Sequence, residues 1–169
     1  MNNMVMTVSE QATVSSLVGL VEIARGIDEV IAAASNRIAI FDRDLADGGY
    51  NDSERFNRLK VFLLASRRNR IDIAVHQSEY LERDCARMIV LLRQFPYAVQ
   101  IHRTLPEAQR VQDAFVIADG QHYIRRFHRD YPRAEKALHD ESGAGLLQRR
   151  FEEIWIYSEP TLSATLLGL

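Results

Sequence analysis

Residues 112–125 read QDAFVIADGQHYIR, a short apolar run followed by an Asp-Gly pair and a second short run. Residues 114–119 predict a strand, because the run is apolar, short and ends at an acid. Asp119-Gly120 is a strong signal for a tight turn. Residues 122–125 are therefore expected to return as the second strand of a β-hairpin.

Strands and helices alternate upstream of this hairpin. Three further strands are predicted over residues 37–42, 71–75 and 98–101. Helices are predicted to begin at Ser16, at 51–54 and at Ser78, from apolar spacing and capping residues. Downstream, Pro132 is expected in the first turn of a short helix. A last helix is expected after Gly143 and Gly145, and to stop at residues 158–160.

This order of elements predicts an α/β fold. We expect a three-layer sandwich, with helices on both faces of a mixed, mostly parallel sheet. Residues 1–14 are expected to be a flexible N-terminal lead, and 15–169 to form a single domain. The apolar tail 161–169 is expected to pack back on this domain or to dock on a partner through its leucines, Leu162, Leu166, Leu167 and Leu169.

The composition excludes several classes of protein. The 169 residues are 47% apolar and 26% charged, which is typical of a globular domain and not of a disordered chain. A single cysteine, Cys85, excludes a disulfide scaffold and fits a reducing compartment. No apolar run reaches 18 residues, and the N-terminus lacks the pattern of a signal peptide. We therefore expect a soluble cytoplasmic protein that does not enter a membrane.

The charges predict a local site for anions rather than a basic protein. The formal net charge is −2, so any nucleic acid must be bound by a patch. Of the basic residues only Lys60 and Lys136 are lysines. Arginine suits phosphate and carboxylate, although a compositional bias of the genome has the same effect. The densest basic stretch, 121–133, interleaves arginine with aromatic residues, as in a pocket for single-stranded nucleic acid or a nucleotide. A solvated loop would look the same.

Familiar catalytic and metal motifs do not occur. There is no phosphate-binding loop of the Walker type, no GxGxxG turn and no Gly-x-Ser-x-Gly elbow. Cys85 lies within an apolar helical face and is expected in the core. Histidine and acidic residues are too scattered for a zinc site. The sequence therefore predicts neither a metal nor a cofactor. Ligands are instead expected beyond the carboxyl ends of the strands, which carry Asp42, His76, His102, Arg103 and Asp119.

From about residue 38 to residue 160, the chain resembles one half of the phospholipase D superfamily. Members carry His-x-Lys, four residues, then Asp, on an apolar strand before a turn. In the family the histidine attacks phosphorus and the lysine holds the phosphate oxygens. The matching positions here are Gln112, Ala114 and Asp119. Because an amide and a methyl group cannot perform these roles, only the acid survives. Residues 127–169 and Arg125-Arg126 resemble an uncharacterised bacterial branch that lacks the motif.

The resemblance implies a non-catalytic domain with a binding or scaffolding role. We expect a strand-end cleft in which Arg125, Arg126 and His102 hold a phosphate-bearing ligand or nucleic acid, oriented by Asp119. A homodimer is expected, because such half-size folds close their site across a two-fold axis. Two alternatives stay open. One is a metal-independent phosphodiesterase or nuclease that uses His102 or His122 as a displaced nucleophile. The other is a protein–protein adaptor.

Overall fold

A sheet of eight strands runs through residues 11–162, the part of the chain that the computed structural model describes. The strands are β1 (Thr13–Val18), β2 (Arg37–Asp42), β3 (Arg70–Val75), β4 (Val99–Thr104), β5 (Ala114–Ala118), β6 (His122–His128), β7 (Tyr131–Leu138) and β8 (Ser158–Leu162). Their spatial order is β1-β7-β6-β5-β2-β3-β4-β8.

Helices cover both faces of this sheet. They are α1 (Leu20–Ala33), α2 (Ser53–Ala65), α3 (Glu79–Asp84), α4 (Ala86–Gln94) and α5 (Glu141–Ile156). The first four belong to one face and α5 to the other. Asp52 begins α2 by accepting two backbone N–H groups, and Asp140 begins α5 by accepting the Gly143 N–H at 2.9 Å. None of the described helices is long and apolar enough to span a membrane.

Side-chain alternation along β2 divides the core between the two faces. Ile38 and Ile40 pack with the layer of α1 to α4, whereas Ala39 and Phe41 pack with α5. All four side chains are buried. An uninterrupted apolar strand is therefore what a central position with helices on both sides requires.

The predicted α/β sandwich with a mixed sheet is confirmed, but the expectation that the sheet is mostly parallel is wrong. Among residues 11–162, only β2–β3 and β3–β4 pair in parallel, and the other five neighbouring pairs are antiparallel. Parallel pairing needs a crossover connection, which α2 supplies from β2 to β3 and which α3 with α4 supplies from β3 to β4. Tight hairpins make the β5–β6 and β6–β7 pairs antiparallel.

The N-terminal part of the sequence interpretation needs two corrections. Residues 13–18 form β1, which pairs with β7 along its whole length, where a lead to residue 14 and a helix from Ser16 were expected. The helix starts only after Gly19, whose φ of 101° breaks the extended chain. The apolar residues at 17, 20 and 21 have helical spacing, but Leu17 belongs to β1 because residues 13–18 pair with β7. Residues 1–10 lie outside the described residues.

Pro132 lies in β7 and does not begin a helix, so that expectation is also wrong. The register of β6 and β7 shifts between Arg126 and His128, which places Pro132 at a bulge. A proline is tolerated there because its missing N–H is not needed for the ladder. The helix predicted from Ser78 is divided into α3 and α4 at Cys85, which is fully buried as expected.

The end of α5 and the following strand close the other edge of the sheet. The predicted stop at residues 158–160 is confirmed, and these residues continue as β8 against β4. Leu162 is buried at the end of β8. The other tail leucines, Leu166, Leu167 and Leu169, lie outside the described residues.

Candidate functional site

The three motif positions do not lie together. β5 runs antiparallel to β2, so Ala114 lies at the end of the sheet where Asp42 ends β2, and Asp119 lies at the opposite end. Five residues of extended chain separate Ala114 and Asp119 by about 17 Å. The strand-end cleft expected from the sequence therefore has to be sought at the end of the sheet that carries Gln112 and Ala114.

Asp119 has a structural role in the β5–β6 turn. Its carboxylate accepts backbone N–H groups from Ser35 at 2.7 Å, Asn36 at 2.8 Å and Arg37 at 2.8 Å. Left-handed backbone at Asp119 (φ 55°) and Gly120 (φ 66°) makes the tight turn predicted from the Asp-Gly pair. The expectation that Asp119 orients ligand-binding arginines is wrong, since its oxygens hold the start of β2.

The position of the family's lysine is closed. Ala114 lines a cavity of about 30 Å³ together with Asp42, Tyr50 and Arg126. That volume holds about one water molecule and is too small for a phosphodiester. At the position of the family's histidine, Gln112 is half-buried, and its amide donates to the Gln109 carbonyl at 3.4 Å.

Arg126 faces this small cavity, and its donors are engaged by the protein. Its guanidinium donates to the Tyr131 carbonyl at 3.1 Å, to the Asp47 carboxylate at 3.1 Å and to the Arg129 carbonyl. The side chain is 12% exposed. Arg126 therefore braces the β6–β7 hairpin against the loop that contains Asp47, and the expectation that it binds ligand beside Arg125 conflicts with this geometry.

Arg125 points to the opposite face of the sheet, because neighbouring side chains of a strand alternate. Its Nε donates to the Asp113 carboxylate at 2.9 Å, and the other oxygen of Asp113 accepts from Nη2 of Arg150 at 2.7 Å. The Asp113 side chain is 2% exposed, whereas those of Arg125 and Arg150 are 36% and 40% exposed. We call Arg125 and Arg150, held by Asp113, the arginine pair.

The arginine pair has the chemistry of an anion site. One buried carboxylate between two guanidinium groups leaves a net positive charge at the surface. Among the described residues, no hydrogen bond engages either Nη atom of Arg125 or Nη1 of Arg150. The buried Nε of Arg150 also has no partner there. Two forks with donors left over can bind a phosphate or carboxylate in a bidentate manner.

His76 lies at the same end of the sheet but is occupied. It is buried, its Nδ1 lies 2.6 Å from Thr104 Oγ1, and its Nε2 lies 2.7 Å from the Val111 carbonyl. A carbonyl only accepts, so Nε2 carries the proton and Nδ1 accepts from the hydroxyl. Burial lowers the pKa of His76, so the ring is neutral. It fixes the segment before β5, and either ring nitrogen would have to give up its hydrogen bond before it could act as a nucleophile.

The two histidines considered as displaced nucleophiles lie elsewhere. His102 stacks on Trp155 with 3.7 Å between ring centroids, and its Nδ1 lies 3.1 Å from Ser158 Oγ. Burial lowers the pKa of His102. Four strand spacings, about 19 Å, separate it from Arg125. His122 is buried at the Asp119 end, where its Nδ1 accepts the backbone N–H of His139 at 3.1 Å. The set His102, Arg125, Arg126 and Asp119 is therefore not assembled.

Sequence reasoning missed Asp113 and Arg150. Strand alternation places Asp113 on the face opposite Ala114, with Phe115, and this signal was present in the sequence. Arg150 is contributed by α5, 37 residues after Asp113. Nothing local in the sequence distinguishes it from its neighbour Arg149.

Asp42 is the unusual acid of this end. It is partly buried beside the small cavity, and its carboxylate accepts the Arg43 N–H at 2.6 Å. Burial raises the pKa of Asp42 from 3.8 to about 6, helped by Asp44 and Asp47 and opposed by Arg126 and the Arg43 N–H. The folded protein therefore favours the neutral carboxyl group.

We expect Asp42→Asn to raise the free energy of unfolding at pH 7.5 by about 1–3 kcal/mol. The folded pKa is higher than the unfolded one, so wild-type stability is lost as the pH rises from about 4 to about 6. Asparagine removes this loss, and the two proteins should be equally stable near pH 4. Urea denaturation at both pH values measures the effect. Glu153→Gln, at an exposed position on α5, is the control. A gain of equal size at both pH values would contradict the prediction.

Within residues 11–162, no group of three or more His, Cys, Asp or Glu side chains is arranged to hold a metal ion.

Solved structures with the same architecture include a phospholipase D family member and a chromatin protein. NucT from Helicobacter pylori is 13% identical with a TM-score of 0.61, over 89% of this chain and 100% of that one. Nuc from Salmonella typhimurium, a phospholipase D family member, is 12% identical with a TM-score of 0.58, over 90% and 100%. TrmBL2, an archaeal chromatin protein with a novel mode of DNA binding, is 14% identical with a TM-score of 0.66.

These likenesses establish a phospholipase D-like fold. The match covers 100% of NucT and of Nuc but only 56% of TrmBL2, and in the comparison with TrmBL2 it covers 91% of this chain. No curated protein matches the sequence. A family model described as a domain of unknown function, DUF7931, matches residues 21–165. The chain thus belongs to the DUF7931 family.

Proposed function

We propose that this protein is a non-catalytic phospholipase D-like domain that binds a phosphate-bearing polymer through the arginine pair. The observation that supports this most directly is the Asp113 carboxylate, which holds Arg125 and Arg150 side by side with donors left for a ligand. Such preorganisation reduces the entropy lost when a ligand immobilises two long side chains.

The identity of the ligand follows from geometry and charge. A phosphate group accepts two parallel N–H bonds from each planar guanidinium. A chain of phosphates also supplies enough charge to bind a protein whose overall net charge is −2. The DNA-binding chromatin protein with the same architecture supports a polynucleotide as the polymer.

The absence of catalysis belongs to the same proposal. Gln112 and Ala114 replace the nucleophile and the phosphate-holding lysine, and His76 is neutral and doubly hydrogen-bonded. No observation among the described residues favours His102 or His122 as a substitute. A homodimer and a cytoplasmic location, expected from the sequence, remain parts of this proposal. Sedimentation equilibrium tests the homodimer.

A phosphate chain without bases tests the proposal. We expect a fluorescent 12-nucleotide abasic DNA to bind the wild type at low salt, measured by anisotropy. Arg125→Gln/Arg150→Gln should weaken binding at least about tenfold, since hydrogen bonds to charged groups contribute about 1.5–3 kcal/mol each. The slope of the logarithm of the association constant against the logarithm of the salt concentration should become shallower by the amount expected for the loss of about two phosphate contacts.

Arg149→Gln is the matched control, because Arg149 is an exposed neighbour on the same helix. It should bind like the wild type. The proposal fails if the wild type does not bind, or if the double variant and the control behave alike. Cleavage of a labelled DNA that is lost in His102→Ala or His122→Ala would instead establish the nuclease alternative.

A further inference from the structure

The turn between β6 and β7 exposes aromatic rings. We call residues 127–133 the hairpin tip. Phe127 is 48% exposed and Tyr131 65% exposed. The ring of His128 lies 5.5 Å from that of Tyr131. With Val18 and Pro132 these side chains line an open, mainly apolar groove. Both rings are exposed enough to contact a ligand.

The hairpin tip is also positively charged. It carries Arg129 and Arg133, and Asp130 is its only acid. Arg133 is exposed and forms no ion pair within residues 11–162. The guanidinium of Arg125 lies 5.5 Å from the centre of the Phe127 ring. Charge complementarity therefore favours a negatively charged partner, and the exposed rings favour a nucleic acid over an acidic protein surface.

The hairpin tip and the arginine pair form one continuous surface. Arg125 belongs to the pair and contacts Phe127, which is two residues further along the same strand. The backbone N–H of Arg129 donates to the Gln112 carbonyl at 3.1 Å. The tip thus lies against the segment immediately before Asp113. A nucleic acid strand whose phosphates bind the arginine pair reaches the exposed rings with its next nucleotides.

We propose that the hairpin tip is a stacking platform for the bases of a single-stranded nucleic acid. The proposal rests on the proposed function, because the arginine pair supplies the phosphate contacts. Phe127 and Tyr131 offer faces on which unpaired bases stack, and the neighbouring arginines follow the backbone. A duplex keeps its base faces covered, so it can use only the phosphate contacts.

Three 12-nucleotide ligands distinguish base stacking from phosphate binding. They are oligo(dT), the abasic chain and a duplex. We expect the wild type to bind oligo(dT) at least fivefold more tightly than either of the others, as stacking of about 1–3 kcal/mol per base allows. Phe127→Ala/Tyr131→Ala should remove this preference and leave affinity for the abasic chain unchanged. Phe127→Leu/Tyr131→Leu keeps apolar area without rings and should behave in the same way. Tyr97→Ala, at a residue 89% exposed between α4 and β4, is the control.

Each result supports or overturns the proposal. If oligo(dT) and the abasic chain bind equally, the stacking platform is wrong and the phosphate site stands. If neither binds at low salt, the proposed function fails and the platform fails with it. The stacking platform is also overturned if the duplex binds as tightly as oligo(dT). The same holds if the Phe127→Leu/Tyr131→Leu variant retains the preference for oligo(dT). Both substituted sites are exposed, and thermal melting confirms that the variants fold.

Discussion

Replacing Arg55 with alanine is expected to lower the free energy of unfolding by about 3 kcal/mol, the lower end of the range for breaking a buried ion pair, because the partner Asp28 is 29% exposed. The Arg55 side chain is 2% exposed and donates to Asp28 at 2.9 Å, to the Ala24 carbonyl at 2.8 Å and to the Gly48 carbonyl. Its guanidinium also lies 5.0 Å from the Tyr50 ring. It therefore joins α1, α2 and the loop after β2, and its removal orphans all of these acceptors.

Urea denaturation of Arg55→Ala beside Arg58→Ala checks this expectation. Arg58 lies on the same helix but is exposed and has no partner among the described residues. Its loss should change the free energy of unfolding by less than about 0.5 kcal/mol. Equal effects of the two substitutions would show that the Arg55 contacts contribute nothing beyond helix propensity.

Asp119→Ala is expected to lower the free energy of unfolding by about 2–3 kcal/mol. Three backbone N–H groups, of Ser35, Asn36 and Arg37, lose their acceptor, and a bond to a charged group contributes about 1.5–3 kcal/mol before exposure to water reduces it. Alanine also adopts the left-handed φ of 55° at a cost of about 1–2 kcal/mol. Asp119→Asn should lose about half as much, since asparagine tolerates this φ and keeps one acceptor oxygen.

The Asp119→Ala variant also tests whether Asp119 contributes to ligand binding or only to stability. At a temperature where it is folded, Asp119→Ala should bind abasic DNA like the wild type, because Asp119 lies at the other end of β5 from the arginine pair. Asp130→Ala, at the turn of the other hairpin, is the control for stability and should change it by less than about 0.5 kcal/mol. Weakened binding by folded Asp119→Ala would instead support the expectation that this acid orients the ligand-binding arginines.

Local patterns were sufficient to predict most elements. The apolar run and acid of β2 gave its observed bounds, and the Asp-Gly pair predicted the β5–β6 hairpin, because these signals depend on neighbouring residues alone. Segment 13–18 is different. Its apolar residues Val14, Leu17 and Val18 have the i, i+3, i+4 spacing of a helix, and only pairing with β7, more than a hundred residues later, makes it a strand.

In the candidate site, too, some features could be predicted from the local sequence and others depend on distant contacts. The resemblance of residues 112–119 to the phospholipase D motif, and the lack of a histidine and a lysine at Gln112 and Ala114, could be read from the sequence alone, since a nucleophile is defined by its side chain. The partners of Arg125 could not be found in this way. Strand alternation turns Arg126 to the other face, and the position of α5 brings Arg150 to Asp113.

Sequence alone was therefore enough to predict an α/β domain and to compare Gln112, Ala114 and Asp119 with the phospholipase D motif, because secondary structure and side-chain identity are properties of short segments. Which arginines keep donors that no other described residue engages was decided by the tertiary structure. That property depends on the direction in which distant strands and a helix present their side chains, and contacts between residues 37 positions apart leave no local trace in the chain.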